Sequence, residues 1–310
     1  MTISAHATRF AGLPIRDYSP GRGLANPARA AYRIRVEYDS EESFEDLFNA
    51  LVDAPGASEL AAIVIGAYSN EMYDDTTAVL VSALVAARDK LPGLKGVFLG
   101  DITYEENEIS WIKQSDVSPL LKAYPKLEYL QVRGGDGLSL GKLDHAHLKS
   151  LVVETGGLPA SVVREVGAAK LPALEHLELW LGEDQYGGDA KVDDLRPILS
   201  ARLFPKLRYL GLRDGAIADD IACAVALAPV LAQVKVLDLS LGNLSDKGAE
   251  ALLASPAVAR LEKLDIHHHY VSKELTDRLA ALGIDLEAGD RKKPDDWGDG
   301  ELHRYIAVAE

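Results

Sequence analysis

The residues best placed to do chemistry together are two aspartates and a histidine in the last third of the chain. Asp238 and Asp265 occupy matching positions in two similar stretches, and His267 lies two residues beyond the second aspartate. If the two stretches lie side by side, the carboxylates can hold a metal ion or share a proton, and the imidazole can add a ligand. The same residues also fit a solvated acidic patch. Two interpretations are open here: a metal-binding or metal-assisted hydrolytic site, and a patch without chemistry.

A run of three histidines, residues 267–269, suggests a second metal hypothesis. Alternate residues of a strand point to opposite faces, so at most His267 and His269 can act together. No HExxH pattern and no group of cysteines completes a zinc site, since Cys223 is the one cysteine and lies in an apolar stretch typical of helix packing. GxSxG, Walker A and GxGxxG signatures are also absent. We therefore expect no catalytic residue, no bound metal and no cofactor, and a protein that is not an enzyme.

A phrase that recurs along the chain must position these side chains. It consists of an apolar residue, two variable residues, an apolar residue, one variable residue and another apolar residue. The intervals between copies run from 21 to 34 residues, which indicates a repeat architecture. Five clear copies begin at Leu127, Leu174, Leu207, Val234 and Leu261, and three weaker copies begin at Leu60, Leu94 and Leu148.

Each phrase predicts a short strand, because alternate apolar residues can face a core while those between them face outward. Between phrases, apolar residues recur three and four apart over residues 76–88, 216–231 and 247–261, which predicts helices. Alternating strands and helices give parallel strands, and units that cannot bury their own apolar faces must stack. The sequence thus predicts a curved α/β solenoid with strands on the concave face and helices on the convex face. Glycine follows five phrases by three residues, at positions expected to need positive φ: Gly135, Gly156, Gly182, Gly215 and Gly242.

The recurring phrases resemble the leucine-rich-repeat superfamily, in particular its ribonuclease-inhibitor-like branch, where each long repeat carries a helix. Residues 236–252, VLDLSLGNLSDKGAEAL, come closest to that branch's wording. The flanks, residues 10–14 and 304–310, look like those of small bacterial leucine-rich-repeat proteins with no assigned activity. The resemblance implies a leucine-rich-repeat solenoid of about eight repeats with terminal caps.

The chain is expected to form a single leucine-rich-repeat domain over residues 1–310. Residues 1–30 carry three prolines and several glycines, which predicts a loosely ordered arm. A strand over residues 32–38 and a helix over 43–52 are expected to form the first cap. An exposed loop over 287–301 is expected before an edge strand at 304–309. The resulting divisions are 1–54 for the N-terminal arm and cap, 55–285 for the repeats, and 286–310 for the C-terminal cap and tail.

Rows of side chains across the stacked strands predict the exposed surface, since neighbouring strands lie about 4.8 Å apart. The third, fifth and seventh residues of each phrase face outward. They are small or apolar in the first two copies, and aromatic or charged in the later ones. Aromatic residues and arginine are enriched in interface hot spots, which favours a binding face, although capping segments could instead cover the aromatics. The candidate partner-binding residues are Tyr129, Gln131, Arg133, His176, Glu178, Trp180, Tyr209, Arg213, Asp238, Asp265 and His267.

The charge of the chain restricts its partners. Among 310 residues, 33 Lys and Arg stand against 48 Asp and Glu, so the net charge is −15, which argues against nucleic-acid binding and favours a basic protein surface. We expect no membrane partner, because the longest apolar helical stretch, residues 221–232, is too short to span a bilayer. A single cysteine and no visible secretion signal predict a cytoplasmic location. The expected function is a non-catalytic scaffold that recognises a partner protein through its concave face. An enzyme encoded nearby is one candidate partner, in a transient or permanent complex.

Overall fold

One sheet of twelve strands, neighbours in chain order, organises the part of the chain that the computed structural model describes: residues 3–37, 40, 42–69, 76–298 and 300–309. Strands β1 (Arg9–Phe10) and β2 (Leu13–Asp17) are antiparallel, and all later pairings in this sheet are parallel. The remaining strands are β3 (Ala31–Ile34), β4 (Ala62–Ile65), β5 (Gly96–Leu99), β6 (Tyr129–Arg133), β7 (Ser150–Glu154), β8 (His176–Gly182), β9 (Tyr209–Gly215), β10 (Val236–Asp238), β11 (Lys263–Asp265) and β12 (Asp285–Glu287). The eight phrases correspond to β4 to β11, which confirms the α/β repeat pattern.

Helices connect most of these strands and pack on one side of the sheet. They are α1 (Phe44–Val52), α2 (Ala78–Ala86), α3 (Ser118–Ala123), α4 (Ala160–Gly167), α5 (Val192–Leu199), α6 (Ala218–Ala226), α7 (Asp246–Ala254) and α8 (Lys273–Ala280). The connection between β6 and β7 has no helix. It belongs to the shortest interval between phrases, and it instead forms isolated parallel bridges through Asp136 and Ser139. Within the described ranges, no helix has the length and apolar character that a membrane crossing requires.

The parallel register places matching residues of neighbouring phrases side by side. Leu237 pairs with Leu210 on one side and with Leu264 on the other, and all three are completely buried against the helices. Alternate residues point to the opposite side of the sheet. We call that side the open face, and it carries the third, fifth and seventh residues of each phrase.

The N-terminal segment folds back over the open face of the first strands. Phe10 packs against Phe98 with ring centroids 5.7 Å apart, in a small apolar cluster separate from the main core. His6 is held next to the buried carboxylate of Asp101, and the neighbouring carboxylates of Asp101 and Glu106 raise the pKa of His6 to about 9. The N-terminal segment thus packs on the small outward residues of the first phrases. The described part of residues 1–30 is therefore not the loosely ordered arm that we expected.

The C-terminal segment also differs from expectation. Residues 304–309 form no edge strand; instead Ile306, Ala307 and Val308 are buried at the end of the open face. The last strand of the sheet is β12, within residues assigned to the end of the repeats and the following loop. Two further strands, β13 (Asp295–Asp296) and β14 (Leu302–His303), form a separate hairpin in the region expected to be an exposed loop. At the other end, the strand expected over 32–38 is β3, and Tyr38 lies outside the described residues.

The glycines that follow the phrases serve two different needs. Gly182 has φ +64°, as expected, whereas the other four have no positive φ. Two of those four allow close approach: a Cβ at Gly156 would lie 2.2 Å from the carbonyl oxygen of Ala309, and one at Gly135 would lie 2.7 Å from that of Gly157. The expectation of positive φ at all five positions is therefore wrong, because chain crowding, without positive φ, excludes a side chain at Gly135 and Gly156.

Gly182→Ala should be much more destabilising than Gly283→Ala. Both glycines have positive φ, but a Cβ at Gly182 would lie 1.9 Å from the carbonyl oxygen of Gly156, whereas one at Gly283 meets nothing within 4 Å. We expect a loss of about 1 kcal/mol at Gly283 from backbone strain alone and of about 3 kcal/mol or more at Gly182. Urea unfolding of the two variants measures the difference, and equal losses would contradict this account.

Candidate functional site

Between the two terminal segments, part of the open face is accessible on strands β6 to β9. Its central feature is a pair of stacked rings, His176 on β8 and Tyr209 on β9, with centroids 3.9 Å apart and an interplanar angle of 8°. The two residues are direct neighbours in the strand register. Both are partly exposed, so this stack offers a flat aromatic surface to a partner.

A buried carboxylate, that of Glu178, lies beside this stack. Trp180 Nε1 and Arg213 Nη1 each donate to Glu178 Oε1 at 2.7 Å. His176 Nε2 lies 3.4 Å from the other carboxylate oxygen. Burial by itself would raise the pKa of Glu178, but hydrogen bonding to His176 and the charge of Arg213 outweigh it and lower this pKa to about 2. Glu178 is therefore an anchor for the surrounding side chains.

A second carboxylate, that of Asp238, completes the network. The Tyr209 hydroxyl lies 2.6 Å from Asp238 Oδ2 and 3.2 Å from Glu178 Oε2, so its one hydrogen is shared between two acceptors. Burial, together with these carboxylates, raises the pKa of Tyr209, which keeps the hydroxyl a neutral donor. Arg213 Nε donates to Ser240 Oγ at 2.9 Å and lies 3.4 Å from Asp238 Oδ2. Two carboxylates thus face one guanidinium, which leaves this part of the face negative.

The aspartates singled out for chemistry are neighbours, as expected, but their oxygens have other partners. Asp238 and Asp265 pair in register. Asp238 Oδ1 accepts from the Ser240 amide, whereas Asp265 lies 2.7 Å from His267 Nδ1 and 3.2 Å from Lys263 Nζ. These partners outweigh burial and lower the pKa of Asp265 to about 2, while Asp265 raises that of His267. No cluster of three or more His, Cys, Asp or Glu side chains in the described part of the chain is arranged to hold a metal ion.

The other two histidines of the run follow β11, where His268 has a φ of 58° and His269 forms an isolated parallel bridge with Arg291. His268 Nε2 is 3.2 Å from the carbonyl oxygen of Tyr305, and His269 Nε2 is 3.1 Å from that of Ala288. His269 Nδ1 also accepts from the Val271 amide. Both rings are buried, and they tie the C-terminal segment and the last strand to the repeats.

The predicted site residues divide into an accessible group and a buried group. Trp180 is only 7% exposed because Ala307 and Val308 pack on it, so it contacts this chain's own C-terminal segment. Arg133 is buried and donates to Glu154 Oε2 at 2.6 Å, and Gln131 donates to Oε1 of the same carboxylate at 2.9 Å. The accessible residues are Tyr129, Gln131, His176, Tyr209, Arg213 and His267, and the buried ones are Arg133, Glu178, Trp180, Asp238 and Asp265.

Two features of this region were not anticipated from the sequence. A cavity of about 230 Å³ lies between residues 9–12 of the N-terminal segment and strands β6 and β7, where Tyr129, Gln131 and Ser150 line it. Asp214, at the end of β9, is completely buried. The pattern of apolar residues gives no signal for the cavity, because residues 9–12 and strand β6 are far apart in sequence. The sequence signal for Asp214 is that an acidic residue directly precedes Gly215, the glycine that follows one phrase.

Comparison with solved structures finds a protein that is similar to this chain in both sequence and fold. No family model matches the sequence, and no curated protein matches it. The crystal structure of a protein from Bacteroides fragilis superposes with a TM-score of 0.77 at 32% identity, covering 84% of this chain and 74% of that one. An internalin from Listeria monocytogenes is 14% identical, with a TM-score of 0.32 over 86% of this chain and 82% of that one. The Bacteroides fragilis protein is therefore similar in both sequence and fold, whereas the internalin superposes too poorly to support an argument.

Glu178→Gln should remove part of the acid sensitivity of this protein. The folded-state pKa of Glu178 lies near 2, below the ordinary 4.5, so its contribution to stability is present above pH 4.5 and is lost as the pH falls toward 2. Between about pH 6 and about pH 3, we expect the difference in unfolding free energy between wild type and Glu178→Gln to shrink by about 2 kcal/mol. Urea unfolding at the two pH values measures this, with the exposed Glu175→Gln as the matched control. A constant difference would show that Glu178 is not held ionised by its neighbours.

Proposed function

This chain belongs to the same protein family as the Bacteroides fragilis protein, and from that premise we propose that it is a non-catalytic leucine-rich-repeat scaffold that binds a partner protein through the open face of its sheet. We place it in the ribonuclease-inhibitor-like branch, with about eight repeats and the open face as the concave side. The helix in most repeats and the phrase at residues 236–252 support this assignment. A single cysteine fits a reducing, cytoplasmic setting.

The stacked pair of His176 and Tyr209 is the observation that carries the proposal. Its rings are accessible, yet they are held in place by the neighbouring strands and by the carboxylates of Glu178 and Asp238. A partner that packs on them does not have to order free side chains, so little conformational entropy is lost on binding. Aromatic anchors of this kind dominate the binding energy of many protein interfaces.

The surroundings of the stack indicate the character of the partner. The nearby cavity, lined by Tyr129, Gln131 and Ser150, gives a partner side chain a place to insert. The two carboxylates that face Arg213, together with the net charge of −15, favour a partner with a basic surface. An enzyme encoded nearby would satisfy these conditions if it presents such a surface.

The metal-assisted alternative finds less support in the same geometry. A metal ion between Asp238 and Asp265 would have to displace the contacts that these carboxylates make with Tyr209, Ser240, His267 and Lys263. Ion pairs and hydrogen bonds already compensate both groups, and breaking them removes stabilisation that a weak site of two aspartates and one histidine does not restore. We therefore keep the binding scaffold as the proposed function.

His176→Ala should weaken binding of the partner without unfolding the chain. The variant removes one ring of the stack and leaves the core intact, so we expect the Kd to rise by about 30-fold, as for an interface hot spot. The partner is first captured from the native host at low and moderate salt, and its affinity for each purified variant is then measured by calorimetry. Tyr209→Ala should behave in the same way.

Arg196→Ala, on the exposed surface of α5, is the matched control and should bind as wild type does. Binding should also weaken as salt rises, because the proposed attraction is electrostatic. If the captured partner binds His176→Ala and Tyr209→Ala as tightly as it binds wild type, the open face is not the interaction site.

A further inference from the structure

The end of β9 carries a buried carboxylate that the interaction site does not use. Asp214 is completely buried, and its φ of 52° is a left-handed conformation that few non-glycine residues adopt. Its backbone amide donates to the carbonyl oxygen of Ser240 at 2.8 Å, which fixes the residue to the segment that follows β10. Burying a carboxylate is costly unless its oxygens are hydrogen-bonded, so the groups that contact it need an explanation.

Those groups belong to the chain's own C-terminal segment. The consecutive amides of Ala307 and Val308 donate to Asp214 Oδ1 at 3.1 and 3.0 Å, and the Ala307 amide also lies 2.7 Å from the carbonyl oxygen of Leu241. Asp214 Oδ2 has no hydrogen-bond partner among the described residues. Burial raises the pKa of Asp214 well above its ordinary value, because the two amides and the charge of Arg213 compensate it only in part. The buried acid is therefore positioned to capture the backbone of an extended segment.

The rest of this contact has the form of a socket for a peptide. Ala307 and Val308 pack against Ile109, Trp180 and Leu241. Gly156 leaves room for the carbonyl group of Ala309, since a Cβ there would lie 2.2 Å from its oxygen. We call these groups, with Asp214, the tail socket. It accommodates small side chains and forms hydrogen bonds with the peptide backbone, as do other sites that bind extended peptides.

The segment that occupies the socket follows a hairpin that lies outside the main sheet, and Tyr305, between the two, is held by His268 and Tyr270. The hairpin of β13 and β14 pairs with no strand of the main sheet in the described part of the chain, and Trp297 and Leu302 are largely exposed. Residues 305–309 therefore resemble a ligand on a tether. Such a tether raises the effective concentration of the segment at the socket to about millimolar levels, which favours the internal contact.

We propose that the tail socket is a peptide-binding site, occupied by residues 305–309 of the same chain and able to accept a segment of the same chemistry from a protein partner. Its ligand is an extended stretch with two consecutive small apolar residues and free backbone amides. The socket is continuous with the proposed interaction face, because Trp180 donates to Glu178, and Arg213 lies 5.0 Å from the Trp180 ring. The inference rests on the proposed function only in that the proposed partner protein supplies the second segment.

The test uses the full chain with its own segment released. Ala307→Pro removes the amide that donates to Asp214 and to Leu241. A fluorescein-labelled peptide with the sequence of residues 304–309, RYIAVA, is then added, and binding is followed by fluorescence anisotropy. We expect Ala307→Pro to bind the peptide at least about 100-fold more tightly than wild type, in which the internal segment competes. Failure of the folded variant to bind, or equal binding by wild type, would overturn the proposal.

Variants of Asp214 examine the acceptor itself. In the Ala307→Pro background, Asp214→Gly removes the carboxylate while tolerating the positive φ, and it should weaken peptide binding at least about tenfold. Asp214→Asn keeps an acceptor oxygen and tolerates the same backbone conformation, so it should retain most of the binding. A peptide methylated on the amides equivalent to Ala307 and Val308 should not bind. Equal binding by Asp214→Gly and Asp214→Asn would contradict backbone capture by this carboxylate.

Gly156→Ala releases the segment by a separate route if Ala307→Pro does not fold. Its Cβ would collide with the Ala309 carbonyl group, whereas a peptide that ends at Val308 avoids that clash and should bind. If either variant forms dimers as the protein concentration rises, the segment that enters the socket comes from a second copy of this chain. That result would overturn the proposal that a different protein supplies it. Because none of these assays uses the captured partner, the tail socket and the open-face interaction site can fail independently.

Discussion

The parallel register of the sheet is the constraint on which the rest of this structure depends. Each strand must present its first, fourth and sixth phrase positions to the helices, so Leu210, Leu237 and Leu264 stack in one buried row. The residues between them then stack on the open face at the spacing of adjacent strands, about 4.8 Å. At that distance neighbouring charges and rings interact directly. His176 therefore stacks on Tyr209, and the positive charge of Arg213 lies between the carboxylates of Glu178 and Asp238.

The same register places apolar residues on the open face, and the two terminal segments cover them. The first phrases place Ala62, Val64 and Phe98 on the open face, where an apolar row without cover would be exposed. Phe10 and its neighbours cover that row, while Ala307 and Val308 cover Trp180 at the other end. Because both apolar regions are covered by segments of the chain itself, the accessible strip between them is the polar and aromatic part of the face. The proposed interaction site is therefore defined as much by the terminal segments as by the repeats.

The sequence predicts the local elements well because their signals are local. The apolar spacing of each phrase predicts its strand, and the longer period between phrases predicts the helices α2, α6 and α7; the pairing of Asp238 with Asp265 then follows from register alone. Contacts between distant segments have no such signal. Trp180 occupies an outward position, so its burial could be known only from the placement of residues that follow it by more than a hundred positions. The cavity next to Tyr129 depends likewise on where residues 9–12 lie.

Strand β9 joins the two regions to which we assign binding. Arg213 and Asp214 are consecutive: Arg213 donates to Glu178 on the open face, whereas Asp214, whose φ of 52° departs from strand geometry, accepts from the C-terminal segment in the tail socket. A carboxylate that is buried and held at φ 52° costs free energy, which the two amides of the C-terminal segment offset in part. Release of that segment would expose Trp180, whose indole donates to Glu178. Any movement of this indole changes the hydrogen bonds around Glu178, and through them the support of the His176 and Tyr209 stack. Occupancy of the socket and the shape of the interaction face are thus linked by direct contacts, without a change in the core of the repeats.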